Sequence, residues 1–161
     1  MILRKQFLQP RSVEMVPAHD EIPVVATATI YVTSETPDHP VDYIFDSKRG
    51  PGGSRWVAQQ PGEQMVMLGF DAPQTIRTVL LEIEEQQVSR TQEVTLLASF
   101  DGDQTRREIL RQEFNFSPPG TTFERERWSV SLEHVTHLLL MIKPDKGRQD
   151  CFATITSLVL Y

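Results

Sequence analysis

One cysteine in 161 residues, Cys151, excludes an intrachain disulfide. It stands in Asp150-Cys151-Phe152-Ala153 with no basic residue or histidine adjacent to draw out a thiolate, so it reads as a small buried strand residue. Long apolar runs are missing as well. No stretch approaches the roughly 18 residues that cross a bilayer. The charged start Met1-Ile2-Leu3-Arg4-Lys5 is not followed by an apolar segment of signal length. The location expected from this is the cytoplasm.

Histidine is scarce: His19, His39, His134 and His137 are all there are. None joins Cys151 at zinc spacing, and His134 and His137, three apart, share a face only on a helix. A Gly-x-Ser-x-Gly nucleophile elbow is absent. Clustered carboxylates do occur, at Glu82, Glu84 and Glu85 and in the alternation Glu124-Arg125-Glu126-Arg127. They read as a strand face and cross-strand pairs, not as the two facing acids of a glycosidase. The chain is therefore expected not to be an enzyme. An excess of positive charge is lacking too: 16 Lys and Arg stand against 22 Asp and Glu, for a net charge of −6. That field repels a phosphate backbone and disfavours nucleic acid as a partner.

What the chain does have is strand signal, with no long helical period. Pro23 to Thr33 is rich in β-branched residues. Gln64 to Gly69 is a short apolar run, and Thr75 to Glu84 alternates. Glu93 to Phe100 leads into Asp101-Gly102, a hairpin signal, with a return near Glu108 to Phe114. After Ser117-Pro118-Pro119-Gly120 the pattern resumes from Thr121 to Leu132, with Trp128, Val130 and Leu132 on one face reading as core. Ser131 to Val135 has room for one helical turn. Thr136 to Lys143 is a central strand stopped by Pro144, and Phe152 to Tyr161 is the last strand. Seven or eight strands at short intervals argue for an all-β antiparallel sandwich, a jelly roll of about eight strands. Residues 1–23 read as an N-terminal extension, either an edge strand at Lys5-Gln6-Phe7-Leu8 or a wrapping segment, and residues 24–161 as the sandwich.

One segment departs from the acidic background. Asp46-Ser47-Lys48-Arg49-Gly50-Pro51-Gly52-Gly53-Ser54-Arg55 carries three glycines and three basic residues. Lys48, Arg49 and Arg55 on a permissive backbone suit a phosphate, sulfate or carboxylate. An arginine beside a carboxylate or amide, as in Arg90-Thr91-Gln92-Glu93, suits sugar hydroxyls, which both donate and accept. Trp56 divides between core and the rim of a site. The candidate ligand-binding set is thus Asp46, Lys48, Arg49, Arg55, Trp56, Arg90 and Glu93.

The order of segments resembles the galactose-binding-like superfamily, the discoidin (coagulation factor 5/8 type C) domains and related jelly rolls. The resemblance rests on Thr33-Ser34-Glu35, Pro40 to Asp46, Trp56, Met65-Val66-Met67-Leu68-Gly69-Phe70, Ile76 to Val79, Ser99-Phe100-Asp101-Gly102, Val135 to Leu140 and Ile155 to Leu160. It covers residues 24–161 and implies an eight-stranded jelly roll that binds its ligand through loops at one end. Here those are Asp46–Trp56 and Gln86-Gln87-Val88-Ser89-Arg90. Members bind sugars, phospholipid head groups, proteins or damaged DNA ends, and fold alone does not choose among them. The resemblance favours a non-catalytic carbohydrate-binding module. The alternatives are a cytoplasmic protein-interaction module or assembly subunit and, below it, binding of nucleic-acid ends or anionic lipid through the basic loop. The family also implies a structural calcium. Asp42 and Asp46 are its weak candidates, but Ser157 stands where members place a glutamate in the final strand, so no cofactor is expected.

Overall fold

The computed structural model describes residues 21–161. The edge strand expected at Lys5-Gln6-Phe7-Leu8 lies outside them. Among the described residues the strands are β1 (Ala28–Val32), β2 (Trp56–Val57), β3 (Gln64–Glu84), β4 (Arg90–Ser99), β5 (Arg107–Phe116), β6 (Phe123–Lys143), β7 (Thr154–Ile155) and β8 (Ser157–Leu160). Every pairing between them is antiparallel. A helical turn, α1 (Val24–Thr27), precedes β1, and a 3-10 turn spans Val41–Phe45.

β3 and β6, 21 residues each, cross from one layer of the molecule to the other. The Gln64–Gly69 half of β3 pairs with β1 and with the His137–Ile142 half of β6, which continues through β4 to β5. This makes a five-stranded layer. The Val79–Glu84 half of β3 pairs with β8 and with the Phe123–Trp128 stretch of β6, a three-stranded layer. Three register shifts between Gly69 and Thr78 bend the pair, and His134 takes a φ of 61° in the same region. Such irregularities sharpen local twist without ending the strand. The sequence pattern divides each of these strands in two at the bend, because polar residues and Pro73 interrupt the apolar alternation there. The backbone stays extended through it, and the helical turn allowed at Ser131–Val135 does not form.

Two further segments differ from their pattern. Val24–Thr27 coils into one turn before β1 begins, with the Thr27 hydroxyl donating to the Pro23 carbonyl at 2.8 Å. The last strand is split at Thr156, since β7 pairs with β2 while β8 pairs with β3. The hairpin after β4 forms, but across residues 100–106. Asp101 gathers that loop by accepting from the Thr105 N–H (3.0 Å), the Thr105 hydroxyl (2.6 Å) and the Ser99 hydroxyl (2.8 Å).

The core lies between the layers. Val66, Leu68, Leu81, Ile83, Val94, Leu96, Leu138, Leu140 and Ile142 are fully buried there, as the period-2 alternation of paired strands requires. Trp128 is buried as expected, its indole N–H donating to Gln112 Oε1 at 2.8 Å.

Candidate functional site

Three loops meet at one end of the sandwich, and each is fixed by a carboxylate. The first is the glycine-rich loop. Glu82 and Glu84 at the end of β3 are only 4 % exposed, and a buried carboxylate is costly unless its oxygens are bonded. The Gly50 N–H donates to Glu82 at 2.8 Å, and the Gly52 N–H donates to the two oxygens of Glu84 at 3.0 and 3.2 Å. Left-handed φ values of 89° and 83° at these glycines, which L side chains rarely adopt, turn both N–H groups inward. Arg125 closes the other oxygen of Glu82 (2.7 and 2.8 Å), and the Gln86 amide donates to Glu84 at 2.9 Å.

The second loop, 85–89, turns around Glu85. One oxygen accepts from the N–H groups of Gln87 (2.9 Å) and Val88 (3.1 Å), and the other pairs with Arg90 at 2.6 Å. Arg90 also donates to the carbonyls of Phe152 (2.7 Å) and Pro144 (3.3 Å), which joins the second loop to the third. The third loop, 144–152, is capped by Asp145, which accepts from the N–H groups of Thr91 (2.7 Å), Gly147 (3.0 Å) and Arg148 (2.8 Å). Burial acts to raise the Asp145 carboxyl, but those three donors outweigh it and hold the group below the ordinary carboxylate value.

A cleft of about 500 Å³ opens between these loops. Strand alternation on β2 places its residues. Trp56 turns inward, fully buried, and donates its indole N–H to the Ser34 carbonyl at 2.9 Å. Val57, on the other face of the strand, and Arg55, immediately before it, line the cleft. Gln86, Gln87, Arg148, Asp150 and Phe152 complete the polar and aromatic lining. Phe152 is 42 % exposed. Arg148 and Asp150 form a surface pair at 3.3 and 3.4 Å. An open phenyl ring beside amides, guanidinium groups and a carboxylate offers an apolar platform together with donors and acceptors, the chemistry a sugar ring needs.

The structure brings together two of the residues expected at a site, Arg55 and Arg90, and the Gln86–Arg90 loop with them. It places the others elsewhere. Lys48 is exposed, and only its backbone N–H is engaged, by Asp46 Oδ1 at 3.0 Å. Asp46 spends its other oxygen on the Ser54 hydroxyl. Arg49 pairs with Glu21 at 3.2 Å beside a separate hollow of about 270 Å³ that includes Val25, Phe45 and Leu158. Trp56 belongs to the core. Glu93 alternates away from the buried face of β4 and lies 3.8 Å from Arg111.

Local pattern does not mark Arg148, Asp150 or Phe152: the first two sit in a polar turn, and Phe152 merges with the apolar run of the final strand. The Asp46–Trp56 loop carries no aromatic before Trp56, and the exposed aromatic of the cleft is Phe152.

The positions the resemblance suggested for calcium do not gather carboxylates. Asp46 is occupied by its own loop, Asp42 is exposed and Ser157 is buried in β8. Among the described residues no three His, Cys, Asp or Glu side chains group closely enough to hold an ion.

No protein-family model matches the sequence. No curated protein matches it either. Solved structures share its fold. A CBM32 module from Clostridium perfringens, in complex with GalNAc-beta-1,3-galactose, aligns with a TM-score of 0.61 at 18 % identity, covering 88 % of this chain and 99 % of that one. The family 32 module of C. perfringens NanJ, in complex with galactose, gives 0.59 at 13 % identity over 87 % and 96 % of the two chains. The CBM32 of AlyQ, in complex with 4,5-unsaturated mannuronic acid, gives 0.58 at 15 % identity over 84 % and 95 %. At these identities the likeness is one of fold, and it covers the β-sandwich from end to end.

Proposed function

We propose that this chain, a galactose-binding-like jelly roll, is a non-catalytic carbohydrate-binding module whose sugar sits in the cleft between the 50–55, 85–89 and 144–152 loops. The observation that carries the reading is Phe152. It is a large aromatic left 42 % exposed on a loop that is otherwise pinned, and it borders a cleft lined with amide, guanidinium and carboxylate groups. Neighbours of the same fold are carbohydrate-binding modules solved with bound saccharides, which supports the reading at the level of class. The cleft's own carboxylates favour binding over hydrolysis. Glu84 and Glu85 are held in hydrogen bonds to the loops, so neither is free to act as an acid opposite a second carboxylate.

The test is a glycan array followed by calorimetry on the strongest binder. Phe152→Ala should weaken that binding roughly tenfold by removing the aromatic platform. The melting temperature should hold, because the side chain contributes little to the core. An array with no binder, or a variant that binds as tightly as the parent, would overturn the proposal.

A further inference from the structure

Within the cleft, every carboxylate has a partner in the chain itself. Glu84 accepts from Gly52 and Gln86, Glu85 from Gln87, Val88 and Arg90, and Asp150 from Arg148. The cations are not matched in the same way. Arg55 lines the cleft and has neither an ion pair nor a hydrogen-bond acceptor among the described residues. Its backbone is nevertheless anchored. The next residue, Trp56, is fully buried, and its carbonyl accepts from the buried Thr154 hydroxyl at 2.7 Å. In a chain with a net charge of −6, an arginine whose backbone is anchored and whose guanidinium is left unpaired is notable because so many carboxylates could have met it.

We propose that the saccharide taken by this cleft carries a carboxylate, and that Arg55 reads it; this rests on the carbohydrate-binding reading above. A planar guanidinium offers two parallel N–H groups to a carboxylate, a fit that a neutral hydroxymethyl or ester cannot reproduce. Two of the cleft's three carboxylates are paired with arginines, Glu85 with Arg90 and Asp150 with Arg148, while Glu84 is held by the Gly52 N–H and the Gln86 amide.

The experiment uses the full chain and matched probe pairs: oligosaccharides of galacturonate, glucuronate and mannuronate, each against its methyl ester, with sulfated galactose oligosaccharides as a further arm. Calorimetry at low salt should show one free acid binding roughly tenfold or more tighter than its ester, a preference that shrinks as salt is raised. Arg55→Gln should bring the acid-to-ester ratio to near one. Phe152→Ala should weaken acid and ester alike and keep the ratio. Equal binding of acid and ester, a ratio that survives Arg55→Gln, or tighter binding of the sulfated arm would each overturn the proposal while leaving the carbohydrate reading in place. Failure to bind any saccharide, neutral or charged, would overturn both.

Discussion

Arg90 connects two walls of the cleft through one side chain. Its guanidinium meets Glu85 at 2.6 Å and two carbonyls from the 144–152 loop, and the side chain is only 4 % exposed. Replacing it with methionine would leave a carboxylate with little solvent and no cation, and would strip the Phe152 carbonyl of its donor. We expect Arg90→Met to lower unfolding free energy by about 3 kcal/mol, read from urea denaturation. A midpoint equal to the parent's would show that the network contributes nothing net. At this scale the sequence indicated a residue without its role. Arg90 stood out for its charge near amide and acid neighbours in the chain. Its actual partners are Glu85, Pro144 and Phe152, and the latter two lie 54 and 62 positions away.

The glycine-rich loop illustrates the element scale. Its composition suggested a flexible backbone carrying basic side chains to a ligand. In the structure the loop is held from below by the end of β3, through bonds that span 32 residues from Gly50 to Glu82 and from Gly52 to Glu84. The same glutamates looked like a strand face exposed to solvent. Both readings were made from local pattern, and neither contains the fact that loop and strand end satisfy one another. Glu84→Ala should therefore release the loop. Hydrogen exchange at 50–54 should accelerate while amides in the β3–β6 ladder stay protected, and saccharide affinity should fall with the loss of a formed cleft wall. Unchanged exchange in the loop would argue that the turn holds itself.

For the molecule as a whole, acid is the sharpest test of how these loops are tied. The Thr105 hydroxyl and N–H and the Ser99 hydroxyl hold the Asp101 carboxyl down, from an ordinary 3.8 to about 2. Asp145 is lowered as well, despite its burial. Carboxyls lowered in the folded state stabilise it fully above their unfolded values, and that stability is lost as pH falls through the folded ones. The melting temperature should thus drop as pH is taken from about 4 towards 2, with a shallower drop in Asp145→Asn. An identical acid limb in parent and variant would remove Asp145 from this account. By itself the sequence determined the class of the fold, since alternating β-branched and apolar runs can bury their faces only in sheets packed on one another, and turn residues set the strand count. With a single cysteine it also excluded an intrachain disulfide. The continuity of β3 and β6 through their bend was decided by pairing, because a strand persists when a neighbour supplies its hydrogen bonds, whatever its local pattern. The cleft was decided by tertiary structure alone. Its walls come from segments up to a hundred residues apart, and which side chains stay free to meet a ligand depends on which others the fold has already consumed.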